Sequence, residues 1–498
     1  MPHAYRMRGA AHKPQNVRAV IAVAVVFFAA LAGWRGSHAR TSAAAPALPQ
    51  ARMPHAGERI LVFSPHPDDE TLGLGGFIHE ARRRGADVHV AFLTSGDGFS
   101  LCAAARYRRW PNRSRMRQLA ADREEEARTA LSKLGVPRDH VDFFGYPDRG
   151  LATLWQSNWS PKSPFRSPYT GESAVFGQAS IRPSQPFCGV AVLQDVEALL
   201  RRYRPDRVYY PDPSDDHPDH WAASCFVQLA LERLWGEPGL GRAEHRTYLI
   251  HRGEWPEPMR TDRSLSLLPP TALTRLGSRW EAIPLRRENV DAKAAALRAY
   301  RSQEVLAGNF LNAFLRQNEL LNEWPAADSS RVGTLRSSEG TGTSGLLGVS
   351  AEHAFSDATG DRFARARWGA VDFTRIEVEG GSAEVTLSAE MREPAAGWPA
   401  YYLYWKPVSG TPEAIRTRRY RISGYRCDPP AARFAIDGRR LQVTIPRTEL
   451  AGSTRIMVAA SAWSGPLLLD RTAWRVIDLQ VQQKLTARTP REKTFRQD

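Results

Sequence analysis

The chain predicts an α/β fold: a Rossmann-like, mostly parallel sheet with helices on both faces, followed by a smaller C-terminal antiparallel β-sandwich. Three observations carry this. From residue 59 to about residue 234, short apolar runs alternate with helical patterns. Two turns rich in histidine and acid each follow such a run and precede a helix. Beyond about residue 366, short alternating segments separated by turn residues replace the helical period. With 498 residues the chain is also too long for one core.

The elements follow in order. Residues 59–63 (Arg-Ile-Leu-Val-Phe) read as a buried parallel strand, and the helical pattern after Glu70 runs to Arg84-Gly85. Strands follow at 87–94, 141–145, 207–211 and 246–250. Helices are expected at about 116–134, 190–203, 221–234 and 288–300. On the helix at 221–234, Ala222, Cys225, Phe226, Leu229 and Leu234 share one face. Residues 325–365 are rich in Ser, Gly and Thr and read as a linker. Alternating segments at 374–379, 383–388, 401–405, 440–445 and 455–460 then suggest a sandwich over 366–498, a binding or packing module without a catalytic cluster.

Two insertions interrupt the first domain. Residues 100–117 are basic and aromatic (Arg106, Tyr107, Arg108, Arg109, Trp110, Arg113, Arg115, Arg117). They read as a rim for an anionic or carbohydrate ligand, or as a solvated charged loop. Residues 151–189 carry Trp155, Trp159, Phe165, Tyr169, Phe176 and Phe187. These rings either wall a cleft, where aromatic faces stack on sugars, or pack the loop onto its own domain.

At the N-terminus, residues 1–18 form a basic flank and 19–34 a continuous apolar run, followed by an Ala/Pro-rich linker over 35–57. The run fits a secretory signal or a membrane anchor, with the basic flank cytoplasmic and the 58–324 domain outside. The formal net charge is +15, of which residues 1–52 supply seven basic side chains and no acid. The moderate remainder is no nucleic-acid signal. Four cysteines form no CxxC pair, so a cysteine zinc site is not expected. Cys225 reads as a buried thiol. Cys102 and Cys188 both fall in insertions and would be able to bridge in an oxidising compartment.

The chemistry lies in the two turns. Ser64-Pro65-His66-Pro67-Asp68-Asp69-Glu70 sits between a strand's carboxyl end and a helix, where open α/β sheets bind ligands. A tight turn can aim His66 and Asp69 at one metal ion while Asp68 points at a water. The second turn, Asp212-Pro213-Ser214-Asp215-Asp216-His217-Pro218-Asp219-His220, has the same setting. His66, Asp69 and one of His217 or His220 give two nitrogen ligands, one oxygen ligand and an open position, the composition of a catalytic zinc site.

With both motifs in view, the chain resembles the LmbE-like, or PIG-L, zinc-dependent N-acetylglucosamine deacetylases. The resemblance rests on Pro65 to Glu70 and His217 to His220. It extends to Thr94-Ser95-Gly96-Asp97-Gly98, Arg123 to Glu126, Leu134-Gly135, Gly145-Tyr146-Pro147-Asp148 and Tyr300-Arg301-Ser302-Gln303. It covers about residues 59–324; the two insertions and everything after Trp324 depart from it. It implies one zinc ion per chain on His66, Asp69 and His220, with Asp68 as general base. His217 would be the charged group that steadies the oxyanion, and Asp219 its orienting partner. Arg123, Asp148, Trp155 and Trp159 are weaker candidates for substrate contact. The expected substrate is an acetylated amino sugar of an extracytoplasmic glycan. A metal-dependent amidase on a non-sugar amide, or a non-catalytic carbohydrate-binding protein, stands as the alternative.

Overall fold

The computed structural model describes residues 48–177, 181–240, 243–274, 276–324, 354–357, 368–380, 383–424, 426–430, 432–450 and 452–479. The apolar run at 19–34 and most of the 325–365 linker lie outside them. Among the described residues no helix is long and apolar enough to cross a membrane.

The first domain runs β1 (Arg59–Ser64), α1 (Asp69–Arg83), β2 (Asp87–Thr94), α2 (Ser100–Tyr107), α3 (Arg113–Lys133), β3 (Val141–Tyr146), α4 (Leu151–Gln156) and α5 (Gly189–Tyr203). It continues through β4 (Arg207–Pro211), α6 (Pro218–Arg233), β5 (Glu244–Tyr248), β6 (Arg279–Pro284), α7 (Arg287–Leu297), α8 (Arg301–Ala313) and β7 (Asn318–Glu323). The strands form one seven-stranded sheet in the order β3-β2-β1-β4-β5-β7-β6. β1 to β5 pair in parallel, whereas β7 is antiparallel to both β5 and β6. The sheet is therefore mostly parallel, as the alternation predicts, with an antiparallel edge that it does not.

β1 pairs with β2 on one side and β4 on the other. The chain thus leaves β1 in one direction and returns to its opposite side, which opens a crevice at the carboxyl ends of β1 and β4. Both histidine-acid turns begin there. The side-chain period of two splits each strand between two cores. Ile60 and Val62 face the layer of α1, α3, α7 and α8, while Leu61 and Phe63 face α4, α5 and α6.

Two predicted regions differ. The 100–117 insertion is largely helical, its apolar Cys102, Ala103 and Ala104 turned inward. The end of the 35–57 linker is tied to the sheet edge, where Ala51 N–H donates to Ala282 O at 2.9 Å and Ala282 N–H to Pro49 O at 2.8 Å.

The C-terminal strands are β8 (Ala354–Ser356), β9 (Phe373–Gly380), β10 (Glu384–Met391), β11 (Ala400–Pro407), β12 (Arg418–Ser423), β13 (Arg426–Asp428), β14 (Arg433–Asp437), β15 (Arg440–Pro446), β16 (Arg455–Ser464), β17 (Leu467–Arg471) and β18 (Arg475–Asp478). They make two antiparallel sheets, β14-β15-β10-β9-β8 and β13-β12-β11-β16-β17, with β18 beside β16. Val378, Leu387 and Val443 of one sheet share a core with Leu403, Trp405 and Val458 of the other. The other face of the second sheet is not free. Tyr404, Met457, Ala459 and Trp474 belong to the apolar cluster that covers α4, α5 and α6.

Candidate metal centre

The first turn is held rigidly. Pro65 O accepts Thr94 N–H at 3.0 Å and the Thr94 hydroxyl at 2.9 Å, and the Ser64 hydroxyl donates to His66 O at 2.8 Å. Asp68 ends the turn at φ 131°, a conformation that costs a non-glycine residue energy and persists only where its surroundings enforce it. Arg123 supplies much of that enforcement. Its guanidinium donates to Pro67 O at 2.7 Å, to Gly96 O at 3.1 Å and to Asp68 Oδ2 at 3.3 Å. Gly96 leaves room for it, since a Cβ there would lie 2.2 Å from the guanidinium. Glu70 accepts the Tyr300 hydroxyl and so ties the first turn of α1 to the start of α8.

The second turn is organised by Asp215. Its Oδ2 accepts Ile250 N–H at 3.1 Å and His251 N–H at 3.0 Å, and its Oδ1 accepts His217 N–H at 2.9 Å. The same Oδ2 lies 3.1 Å from His220 Nδ1. His217 caps α6: its Nδ1 accepts Asp219 N–H at 3.2 Å, which leaves Nε2 as the protonated nitrogen of a neutral ring.

Three donor atoms converge between the turns. Asp69 Oδ2 is 3.1 Å from His66 Nδ1 and 3.0 Å from His220 Nε2. The His220 ring lies fully buried, yet its Nε2 has no aligned hydrogen-bond partner, because an N–H there does not point along the approach to Asp69. A buried nitrogen drawn close to a carboxylate without bonding it is what two ligands of one cation require. The far nitrogens of both rings meet carboxylates. His66 Nε2 is 3.2 Å from Asp219 Oδ2 and 3.3 Å from Asp148 Oδ1, and His220 Nδ1 faces Asp215. Such outer partners fix ring orientation in metal sites. His66, His217 and His220 bring one donor atom each within 4.8 Å of one another, as do Asp69, His220 and His251; the residues that would hold a zinc ion lie among these, and His66, Asp69 and His220 are the set that the resemblance implies.

The electrostatics agree. Burial alone would push His220 down, but Asp215 and Asp69 raise it to about 9. Burial works against His66 too, and Asp148, Asp219 and Asp69 hold it well above the usual imidazole range. The pocket is therefore short of positive charge. Burial raises Asp68 to about 8 against the opposing pull of Arg123. Burial, then the nearby His66, His220 and His251, push His217 well below the imidazole range. That direction, with the Nδ1 of His217 accepting from Asp219 N–H, favours a neutral ring where the resemblance implies a charged one.

Other expectations are corrected by position. The Asp219 carboxylate turns away from His217 and accepts the backbone N–H of Arg149 and of Leu151 while facing His66. It faces His66 rather than His217. Arg123 and Asp148 are 3% and 4% exposed; one braces the Asp68 turn, the other faces His66. Trp155 and Trp159 are buried against Phe226, with the Lys406 ammonium 4.1 and 3.3 Å from their ring centres. They join the two domains and do not wall a cleft. Cys102 and Cys188 are separate free thiols, both buried, and Cys102 lies 3.7 Å from Gln303 Oε1.

Two residues of the centre escape sequence reasoning. Asp215 stands in the second turn, but three acids there look alike until the fold selects one. His251, beyond β5, has its ring 4.7 Å from that of His220 and 5.3 Å from that of His217, and stacks on Phe310. Nothing in its neighbourhood of sequence marks it.

With this geometry in place, a family model described as "PIG-L: GlcNAc-PI de-N-acetylase" matches residues 61–231. Residues 61–231 are a PIG-L family domain. The stretch holds both turns and thus every proposed ligand. A 1D-myo-inositol 2-acetamido-2-deoxy-alpha-D-glucopyranoside deacetylase of Mycobacterium sp. (strain KMS) is 29% identical over 284 residues, covering 52% of this chain and 79% of the relative. The diacetylchitobiose deacetylase of Thermococcus kodakarensis is 27% identical over 190 residues, covering 38% and 54%. Among solved structures, the N,N'-diacetylchitobiose deacetylase of Pyrococcus horikoshii aligns at 18% identity and a TM-score of 0.31, over 51% of this chain and 75% of that one. The family model and both of these curated relatives are deacetylases by name.

Proposed function

We propose that the protein is a zinc-dependent N-deacetylase acting on an N-acetylglucosamine-type sugar of an extracytoplasmic glycan or glycoconjugate. The observation that supports this best is the approach of His66 Nδ1, Asp69 Oδ2 and His220 Nε2 within the PIG-L domain, with Asp68 next to them. A zinc ion held there would polarise the acetyl carbonyl and acidify a water. Asp68 takes the proton of the attacking water on its carboxylate and passes it to the sugar nitrogen as the C–N bond breaks, releasing acetate and a free amine. The Nε2–H of His217 donates to the oxygen that gains charge in the transition state. Asp215, Asp148 and Asp219 hold the two imidazoles in orientation, and Arg123 holds Asp68.

The test is acetate release from acetylated amino sugars by zinc-loaded protein, with metal content measured in parallel. Asp68→Asn keeps one zinc per chain and loses at least about a hundredfold in kcat. His220→Ala loses metal and activity together. Full zinc retention in a His66→Ala/His220→Ala double variant refutes the ligand assignment. The extracytoplasmic placement rests on the basic flank and the apolar run at 19–34. A reporter fused after Trp324 that works only in the cytoplasm should be silent; its activity reverses the topology.

A further inference from the structure

A cavity of about 250 Å³ opens where the C-terminal sandwich meets α4 and the start of α6. One wall belongs to the PIG-L domain and carries Arg149, Thr153 and Gln156; the facing wall belongs to β11 and β16 and carries Tyr404, Ser461 and Trp463. Two residues of the lining are chain neighbours of the metal centre. Arg149 follows Asp148, which faces His66, and its own backbone N–H donates to Asp219. Pro218, also in the lining, lies between His217 and Asp219.

The lining mixes aromatic faces with short polar groups. Tyr404 and Trp463 are braced through one hydroxyl, Ser461 Oγ, at 3.0 and 2.8 Å. Arg149 is exposed, and Thr153, Gln156 and Trp463 are half-buried, so their side chains are within reach of a ligand. A pyranose ring asks for this combination: apolar C–H faces that lie on an aromatic ring, and a rim of hydroxyls that exchange hydrogen bonds. The volume falls below the roughly 300–1,000 Å³ of sites for drug-sized ligands and suits one sugar unit.

We infer that this inter-domain cavity is a subsite for the sugar next to the one being deacetylated, so that the substrate is an oligosaccharide or polysaccharide chain and the sandwich is part of its binding site. The inference rests on the deacetylase reading and adds the length of the substrate and the second domain's share in it.

The experiment compares kcat/KM of the full zinc-loaded chain for N-acetylglucosamine and for its β-1,4-linked tetramer. The wild type should favour the tetramer at least tenfold, mostly through KM. Leu468→Trp, a partly exposed lining position, fills the cavity, and Trp463→Ala removes an aromatic wall; each should lower that ratio at least fivefold. Near-UV circular dichroism checks that both variants fold. A ratio near one in the wild type, or one that neither variant changes, overturns the subsite. If neither sugar releases acetate, the deacetylase reading fails instead. Calorimetric titration of the tetramer then decides the cavity alone: binding weakened at least fivefold by Leu468→Trp supports it, and absent or unchanged binding overturns it.

Discussion

A single carboxylate, Asp215, sets the orientation of His220, one of the proposed ligands. It faces His220 Nδ1 while two backbone amides from the loop after β5 and one from His217 hold the carboxylate still. Removing such an outer partner typically costs 10- to 100-fold in metal affinity. Asp215→Ala should therefore weaken zinc binding by about that factor in a chelator competition, while the ligands themselves are unchanged. Equal affinity in wild type and variant would leave Asp215 a purely structural residue. The proposed ligands were only partly legible in the residues themselves: a proline-bounded turn after a strand has few ways to place His66 and Asp69, while the second turn left His217 and His220 open and only the family resemblance chose His220. The outer partners were not legible. Asp212, Asp215 and Asp216 are equivalent on paper, yet Asp212 is spent on Thr247, Asn322 and Trp324. His251 reaches the centre only because β5 lies beside β4.

At the scale of the element, α1 carries the first turn and is fixed from two sides. Near its middle, the Glu319 carboxylate accepts Gly76 N–H and Phe77 N–H, each at 2.8 Å, while Lys293 Nζ donates to Leu72 O and to Glu319, each at 2.7 Å. Both ionic side chains are about 1% exposed. Breaking a buried pair leaves an uncompensated charge and costs about 3–5 kcal/mol. Lys293→Met should lower stability by about that amount in denaturant titration, and a loss below about 1 kcal/mol would contradict the pairing. Towards its end, α1 is tied by Glu80. Burial would raise this carboxyl, but hydrogen bonds from Arg84, Asn289, Arg286 and Arg83 outweigh it and hold it at about 2. Its folded value is depressed, so its stabilisation is present above the unfolded value near 4.5 and is lost as pH falls toward 2. Glu80→Gln should lower the melting temperature at pH 7, and the gap to wild type should close between about pH 4.5 and pH 2. A gap that stays constant over that range would exclude the carboxylate's charge as its source. The parallel strands were legible as elements because each is a short apolar run bounded by turn residues. β6 and β7 were not, since at a mixed edge their pattern is broken by Glu281, Asn318 and Glu319. Helix α2 does not show in the sequence, where residues 100–117 read as a ligand rim or a charged loop, because its basic residues crowd its end while its small apolar face is only three residues wide.

At the scale of the whole molecule, the tryptophans of the second insertion decide how the two domains relate. Read along the chain, Trp155 and Trp159 suit a sugar platform as well as they suit a core, because nothing local says what will cover them. The fold covers them with the sandwich. The Trp159 indole donates to Pro412 O at 2.8 Å, the Thr417 hydroxyl donates to Trp155 O at 2.9 Å, and Trp155 meets Trp474 edge-on at 5.4 Å. Arg233 bonds Val408 O and Gly410 O, and Arg471 reaches back to Asp215 O and Asp216 O, just before the histidine-bearing end of α6. An apolar cluster that runs without a break across both domains, closed by hydrogen bonds from each side, couples their stabilities. The full chain should therefore unfold in one calorimetric transition. Trp159→Ala should lower its midpoint through a loss of about 3–5 kcal/mol, the usual cost of emptying a buried tryptophan site. A chain ended after Trp324 keeps every proposed ligand but exposes the face that Tyr404, Met457 and Trp474 cover, and should aggregate or melt well below the full chain. Two separate transitions in the full chain, or a truncated protein that melts at the same temperature, would show that the sandwich is only tethered, and the shared cavity would lose its second wall.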